Sequence, residues 1–466
     1  MNNLPVKHKI RTALLPLVFV LSFVAAAFGQ IVINPNPEVV VPKQIEPRKS
    51  FDYERFLNRE LGLTDDEAVK IALAANADLQ ATRKDLEGSK ALIEQAGYRA
   101  NPRLTANGSI NPANAGMYSA GASVLLPLEL GGRRSARVAV AQEEYELKSA
   151  DLQNNERLLA FEVRSKYANA LAAIEKLKIV EESLENAEQG YKLISGRVSD
   201  GNAAPLDQNI ALVELNRIRA IKERTVASVE IQLLELENVI GVSIAKPLKL
   251  KGELLTQPHG SRDVSALTEL ALVRRPDLAT LRITRDLALA KLNQAKIEGK
   301  TDAGISLGYQ RSTRMMPMLS NGEPEEIFMR NERDNMIMFG VDVALPLNNK
   351  NRGNIEAATV AIQAAENRIK FGELTVRREV ASAFIRYEAA QKAVLIYRAG
   401  VTAEARRNLE TIWKTFEYGD RNLGDYVEAE REFLKIEEGR IDAELEVYMA
   451  SLELEKTLSS SELTGN

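Results

Sequence analysis

The sequence lacks the residue types that most metal and redox sites need. Its 466 residues include no cysteine and only two histidines, His8 and His259. Without cysteine there can be no disulfide bond, thiolate metal site, cysteine nucleophile or lipid-bearing cysteine. The two histidines lie far apart in the sequence, so we expect no histidine zinc site and no resident metal.

An excess of positive charge is also missing. The formal net charge is −4, and residues of both signs are spread along the chain. Nucleic acid is therefore not an expected partner, since its phosphates need a broad basic field. We find no nucleophile elbow, Walker-type phosphate loop, His/Cys cluster or paired-acid site. The sequence predicts no enzyme activity, no catalytic residue and no cofactor.

Residues 1–29 have the order of parts of a secretory signal peptide. Basic residues between Lys7 and Arg11 precede an apolar run over 12–28, and small residues close the segment. A retained membrane anchor is the alternative, although the run is short for a spanning helix. The proline-rich segment that follows predicts an extended arm over 30–60.

The rest of the chain is predicted to be an internal repeat of two halves. Each half has the order helix, strand, loop, strand, very long helix, tight turn, helix, and the period near 200 residues exceeds that of a solenoid. Three pairs of similar segments occur in the same order: 67–79 with 266–278, 123–134 with 342–353, and 198–215 with 416–433. The predicted units are a first repeat over 61–245, a linker over 246–264, a second repeat over 265–460 and a tail over 461–466.

Each half contains two segments in which apolar residues alternate with small or polar ones. The predicted strands are 102–110 and 117–128 in the first half and 302–311 and 335–347 in the second. Ordinary half-buried sheets also alternate in this way. Four such strands of about ten residues are nevertheless typical of an outer-membrane barrel with a wet interior.

Four strands cannot close a barrel by themselves. Open sheet edges are not tolerated in hydrocarbon, because no water is present to satisfy their backbone groups. Strands from several chains must then combine, and three copies would give about twelve strands.

Very long helices follow the strands. The predicted helices are 131–199 and 350–418, followed by tip turns 200–206 and 419–424 and by helices 207–241 and 425–458. No proline interrupts the long helices, and each would reach roughly 100 Å. Sustained apolar spacing of three and four residues predicts a narrow seam between helices. A soluble coiled coil is the alternative, but it does not account for the strands.

This order of parts resembles the TolC-type outer-membrane efflux protein family over about residues 60 to 460. The segment LPLELGGRRSARVAVA (126–141) is similar to the strand-to-helix junction of the cation-efflux (CzcC-like) branch. The resemblance implies a fold that is mainly α with β. Three chains would form a 12-stranded outer-membrane β-barrel, four strands per chain, continuing into a long periplasmic α-helical coiled-coil barrel.

The resemblance also implies a function and partners. The homotrimer would be the passive exit duct of a tripartite efflux system in the outer membrane of a Gram-negative-type bacterium, in contact with outer-membrane lipid. Its partners would be a periplasmic membrane-fusion adaptor, docked between the long helices near the tips, and an inner-membrane pump of RND type. The cation branch suggests heavy-metal cations as cargo, while multidrug efflux and type I protein secretion remain open. A periplasmic coiled-coil scaffold or adaptor without a pore is the alternative of another class.

The paired turns 201–207 and 419–425 resemble the tips of the family's periplasmic hairpins. In the family these tips form the inner mouth of the duct, which rests closed and opens on contact with partner proteins. The gating residues of the second tip match Arg421, Asp425 and Glu428 here.

The two gate carboxylates lie three residues apart, so both can project from one helix face. Three copies of Asp425 and Glu428 would form stacked acidic rings, which favour cations over anions. Asp425, like Asp207 in the first tip, could instead be a helix N-cap after a glycine turn. Glu428 is the more informative candidate, because Ile210 aligns with it in the first half.

Other positions are expected to shape the turns and junctions. In the tips these are Gly201, Asp207 and Gly419, and at the strand-to-helix junctions they are Pro127, Gly131, Gly132, Arg133, Pro346 and Arg352. Arg133, next to Arg134 where the barrel would end, is predicted to anchor at the membrane surface or to cap helix ends. Six methionines between Met315 and Met338 could bind Cu(I), but a long external loop with strand filling explains them more simply.

Overall fold

A computed structural model describes the chain over 53–58, 60–112, 117–242, 248–254, 263–319, 321 and 327–459. The predicted signal peptide and tail lie outside these residues, as do most of the arm and part of the linker. Within the described residues, no helix combines the length and the apolar character that crossing a membrane requires.

The first two helices begin with side-chain caps. Helix α1 (Asp65–Ala75) opens with a capping box, in which Thr64 Oγ1 accepts the Glu67 N–H at 3.3 Å and the Glu67 carboxylate accepts the Thr64 N–H at 3.0 Å. Helix α2 (Ala77–Gly97) follows at once, because the Asn76 side chain caps it by accepting the Leu79 N–H at 3.0 Å. The predicted single entry helix is thus two helices joined at an asparagine.

The long hairpin of the first half is formed by α3 (Arg133–Ser199) and α4 (Pro205–Ile240). The second half repeats the order with α5 (Val264–Arg274), α6 (Pro276–Glu298), α7 (Arg352–Ile396), α8 (Thr402–Tyr418) and α9 (Leu423–Leu458). Together with one four-stranded sheet, this order confirms the predicted fold class, mainly α with β and two internal repeats.

The long helix predicted over 350–418 is not continuous. One turn of π-helix at Tyr397–Val401 separates α7 from α8, and Gly400 there has φ 149° and ψ −17°. Residues with a side chain rarely adopt this backbone conformation, so glycine makes the break possible. The sequence prediction of one continuous helix rested on the absence of proline from this segment. The corresponding helix of the first half, α3, has 67 residues without such a break.

The sheet is antiparallel in the order β1-β2-β3-β4. Its strands are β1 (Arg103–Ile110), β2 (Tyr118–Pro127), β3 (Asp302–Leu319) and β4 (Ile327–Ala344). The central β2–β3 pair joins the two repeats, with Tyr118 opposite Thr313 and Pro127 opposite Gly304. Strands β1 and β4 form the two edges, each with one side unpaired within the described chain.

The second-half strands are longer than predicted. Their pairing continues to Leu319 opposite Ile327, so most of the expected external loop is a β-hairpin. Methionines on both faces hide the alternation that marks a strand. Pro317 lies within β3 but beyond the last β2–β3 pair, at an edge position where proline is tolerated.

The apolar cores lie in the helical part of the molecule. One core joins α3 and α4 to α1 and the middle of α9, around Val163, Leu177 and Leu236. A second core packs α5, α6 and α7 on α9, around Val380 and Leu454. The sheet, by contrast, contributes almost no buried apolar side chain.

The α1–α2 corner and the end of α4 meet through Asn76. Its Nδ2 donates to the Val239 carbonyl at 2.9 Å, and α4 ends at Gly241, which has φ 79°. A Cβ on Gly241 would lie 2.9 Å from the Asn76 Cα. Two independent constraints therefore require glycine at this position.

We expect Gly241→Ala to destabilise the fold by about 2–4 kcal/mol, from left-handed strain plus the clash with Asn76. Gly201→Ala is the matched control, because Gly201 has φ 75° and open space around its Cβ position. It should cost only about 1 kcal/mol. Urea unfolding of both variants, followed by helical circular dichroism, measures the difference, and equal midpoints would rule out the contact.

Candidate functional site

The site predicted from the sequence lies at the two helical tips. The α3–α4 turn and the α8–α9 turn both contain a left-handed glycine, Gly201 at φ 75° and Gly419 at φ 87°. The Gly419 N–H donates to the Phe416 carbonyl at 3.0 Å and the Asp420 N–H to the Thr415 carbonyl at 2.9 Å, which closes the end of α8.

The two tips are joined by an arginine that the sequence analysis did not single out. Arg197, near the end of α3, donates to the carbonyls of Phe416 at 3.1 Å and Glu417 at 2.5 Å. Its guanidinium also lies 5.3 Å from the centre of the Phe416 ring. A cation at the last carbonyls of α8 is favoured by the helix dipole as well.

Neither Asp207 nor Asp425 is an N-cap, so the alternative prediction of an N-cap is wrong for both residues. Helix α4 begins at Pro205 and α9 at Leu423, two residues earlier than predicted. Each aspartate is therefore the third residue of its helix. Asn422 is the cap of α9, since its Oδ1 accepts the Asp425 N–H at 2.9 Å. Asp207 reaches back and accepts the Ala204 N–H at 3.4 Å.

Two of the three gate candidates are in contact. Arg421 Nη1 lies 3.3 Å from Asp425 Oδ2, with side chains 59% and 34% exposed. An exposed pair of this kind contributes little to stability, because water screens it. Glu428 is exposed and lies one turn further along α9. The gate candidates are thus available to solvent or to other chains.

An aromatic cluster lies behind the gate candidates. The ring centres of Trp413 and Tyr426 are 5.0 Å apart, and Phe416 stacks on Tyr426 at 5.4 Å with an interplanar angle of 8°. The cluster connects α8 to α9 and belongs to the apolar core of the tip region. Its members are spread over two helices, so no sequence motif marked it.

Three glutamates are buried beside this cluster: Glu214, Glu430 and Glu437 are 4%, 2% and 3% exposed. Glu214 is held by Arg217 and Arg431, each with an Nη2 at 2.6 Å. Burial alone would raise the pKa of Glu214, but the two guanidiniums outweigh it and hold the pKa below its ordinary value.

The other two buried glutamates differ in their partners. Glu437 accepts from Arg440 Nε at 2.8 Å, and Arg406 lies 3.8 Å away. Glu430 accepts from Asn186 Nδ2 at 3.4 Å, and burial raises its pKa. Among the described residues, no group of three or more His, Cys, Asp or Glu side chains is arranged to hold a metal ion.

The strand-to-helix junction of the first half is pinned by Arg133. Gly131 and Gly132 are left-handed, at φ 71° and 85°, and turn the chain from β2, which ends at Pro127, into α3. Arg133 then pairs with Asp302 at 3.2 Å and donates to the Lys300 carbonyl at 2.7 Å, just beyond the end of α6.

The second-half junction uses different atoms. Asn351 takes the left-handed position at φ 57° that Gly132 has in the first half, and its Nδ2 donates to the Ala295 carbonyl at 2.8 Å. Arg352 is exposed, and Pro346 lies two residues beyond the end of β4. The two predicted junction arginines therefore occupy different environments.

Asn422→Ala should loosen the first turn of α9, because the Asp425 N–H loses its partner. A lost N-cap costs about 1 kcal/mol, so hydrogen exchange at that amide should become about fivefold faster. Asn422→Asp should restore protection, and Asn202→Ala in the first tip should not change it. Mass spectrometry measures the exchange rate. An unchanged rate in Asn422→Ala would contradict the assigned cap.

Comparison with known proteins tests the predicted resemblance. The family model described as outer membrane efflux protein matches residues 68–242 and 267–460, so each match falls within one predicted repeat. The cobalt-zinc-cadmium resistance protein CzcC of Cupriavidus metallidurans is 24% identical over 396 residues, which cover 85% of this chain and 90% of CzcC. This similarity confirms the expected resemblance to the CzcC-like branch.

Solved structures of low sequence identity share the fold. A membrane protein from Pseudomonas aeruginosa superposes with a TM-score of 0.70 at 21% identity, covering 88% of this chain and 95% of that one. The open state of the MtrE outer membrane channel of Neisseria gonorrhoeae gives 0.67 at 17% identity, covering 85% and 89%. With both repeats matched in order, the chain belongs to the outer membrane efflux protein family, the channels that lie in the outer membrane with a large periplasmic portion.

Proposed function

We propose that three copies of this chain form the exit duct of a tripartite efflux system that carries heavy-metal cations. The main observation that supports a membrane-spanning duct is an apolar stripe across one face of the sheet. Neighbouring strands place Leu104, Val124, Leu307 and Phe339 side by side, and all four are exposed, from 38% for Val124 to 82% for Phe339. A soluble protein would bury such a row, whereas lipid covers it without cost.

The opposite face of the sheet suits a wet interior. Most residues that alternate with the stripe are small or polar, including Ser123, Ser306, Gly308 and Gly340. The sheet edges β1 and β4 must be satisfied when the stripe lies in hydrocarbon, where open edges do not occur. Edge pairing between three copies gives a closed barrel of about twelve strands.

The cargo is inferred from the mouth and from a relative. A ring built from Asp425 and Glu428 of three copies concentrates cations and repels anions. CzcC, which is similar to this chain over 85% of its length, is named for resistance to cobalt, zinc and cadmium. The duct itself supplies no energy, so an inner-membrane pump of RND type and a periplasmic adaptor docked near the tips complete the system.

Planar-bilayer recording of the purified chain tests the gate. Wild type should show a small, cation-selective conductance, and Asp425→Ala with Glu428→Ala should enlarge it or weaken its cation preference. Asp207→Ala is the matched control, because Asp207 has the same position in α4 that Asp425 has in α9. If the double variant behaves like wild type, these residues do not form the mouth, while the duct itself can stand.

Growth on metal salts tests the cargo. A host that has the cognate pump and adaptor but lacks this chain should regain tolerance to Co²⁺, Zn²⁺ and Cd²⁺ when the chain is expressed. Minimum inhibitory concentrations provide the measurement, with an organic drug panel as the comparison. Restored drug tolerance without restored metal tolerance would contradict the proposed cargo and leave the efflux duct intact.

A further inference from the structure

In the described part of the chain, the seam between α9 and the first-half helices contains one buried carboxylate without a basic partner in contact. Glu214 and Glu437 each contact two arginines, as described above. Glu430, at 2% exposure, is buried as deeply. Its Oε1 is 3.4 Å from Asn186 Nδ2, while its Oε2 and the Oγ of Ser183 on α3 both lack a hydrogen-bond partner within the described structure.

A buried carboxylate in this position is costly when it is ionised. Neutral amide and hydroxyl groups repay only part of the lost hydration, and the nearby Glu214 adds repulsion. A protonated carboxyl carries no charge and gains a donor for a neighbouring oxygen. The protonated form of Glu430 therefore fits the packed seam better than the carboxylate does.

The charged and titratable groups around Glu430 come from every helix packed against it. They are Glu182, Glu185 and Tyr191 on α3, Glu214 and Arg217 on α4, Arg406 and Glu410 on α8, and Tyr426 on α9, together with Arg431, which is paired with Glu214. Arg217 is engaged by Glu214, and Arg406 lies near Glu437 and Glu182. Acidic groups outnumber basic ones, so the surroundings as a whole oppose a charge on Glu430.

Two features of the structure would allow water to reach this seam. A cavity of about 280 Å³ lies between α3, α8 and α9, and Glu430, Trp413 and Tyr426 all line it. At the start of α8, the π-helical turn at Gly400 separates α7 from α8, so α8 does not continue α7 as one regular helix. The seam thus has both a place for water to enter and a break at which the tip segment can bend.

We propose that Glu430 is a pH-sensitive latch of the duct mouth: its protonated form holds α9 against α3, and its ionised form lets the α8–α9 tip loosen. Glu428 lies two residues away on the exposed side of the same helix. Movement of α9 at Glu430 therefore also displaces the gate carboxylates. The inference rests on the proposed role of the tips as the mouth of the duct.

The direction of the pH effect follows from the raised pKa of Glu430. The packed seam binds the proton more tightly than the loosened one, in which the carboxyl returns to its ordinary pKa near 4.5. Below that pH the latch is fully effective. Its contribution is lost as the pH rises through the raised pKa, so the tip loosens toward neutral and alkaline pH.

The single tryptophan of the chain provides the readout. Trp413 contacts Tyr426 and lines the same cavity as Glu430. In the purified full-length chain, Trp413 emission should shift to the red as the pH rises from 4.5 to 8. Glu430→Gln, which mimics the protonated form, should keep the low-pH emission throughout, so the transition is lost. Ser183→Ala should move the midpoint to higher pH, because the ionised form loses a neighbouring hydroxyl.

Glu410→Gln is the matched control, since Glu410 lines the same cavity but is exposed. It should retain the wild-type transition. The latch is wrong if wild type shows no transition, if Glu430→Gln keeps it, or if Glu410→Gln abolishes it. The measurement needs neither metal nor ion conduction, so its failure is distinguishable from failure of the proposed duct or cargo.

Discussion

Unsatisfied backbone groups at the two sheet edges are the constraint on which the rest of this structure depends. One chain provides four strands whose outer face is apolar, and β1 and β4 leave a row of N–H and C=O groups unpaired. Hydrocarbon provides no partner for them, so another copy must. The unequal lengths of the edge strands, 8 residues in β1 and 18 in β4, mean that a neighbour's β1 can cover only part of β4.

The sheet leaves the helices to supply the apolar core. Strands that are exposed on both faces cannot form a core, so the chain must find its stability elsewhere. It does so in the helical cores around Leu177 and Leu236 and around Val380 and Leu454. Arg133, which ties the start of α3 to the end of α6, fixes the sheet to this helical part.

Much of the fold was predictable because its signals are local and periodic. Alternation identified all four strands, and sustained apolar spacing identified the long helices. Predictions were wrong where one residue overrides the pattern. Gly400 breaks a helix that contains no proline, and methionines on both faces concealed the extension of β3 and β4. Asp207 and Asp425 looked like caps, but the helices begin two residues earlier, and in α9 the cap is Asn422.

The site was less predictable, because its contacts join residues far apart in sequence. Arg197 meets α8 more than 200 residues later, and Glu430 meets Asn186 across a similar separation. No motif or spacing marks either contact. Whether a buried glutamate has an arginine beside it depends on helix packing, which single-sequence reasoning does not provide. A heptad-like position occupied by an acid, as at Glu430 and Glu437 in α9, is the one signal that could have pointed to this seam.

In the proposed duct, the stability and the selectivity of the mouth would therefore reside in different residues. The exposed Arg421–Asp425 pair is screened by water and contributes little to holding the tip closed. The stabilising contacts are the aromatic cluster, Arg197 and the buried acids. In the proposed duct, residues on the exposed side of α9 would set the charge of the opening, while those on its buried side would determine how firmly the helix is held. A partner docked near the tips would then need only to disturb the buried side to open the proposed mouth, and the charges proposed to select the cargo would remain unchanged.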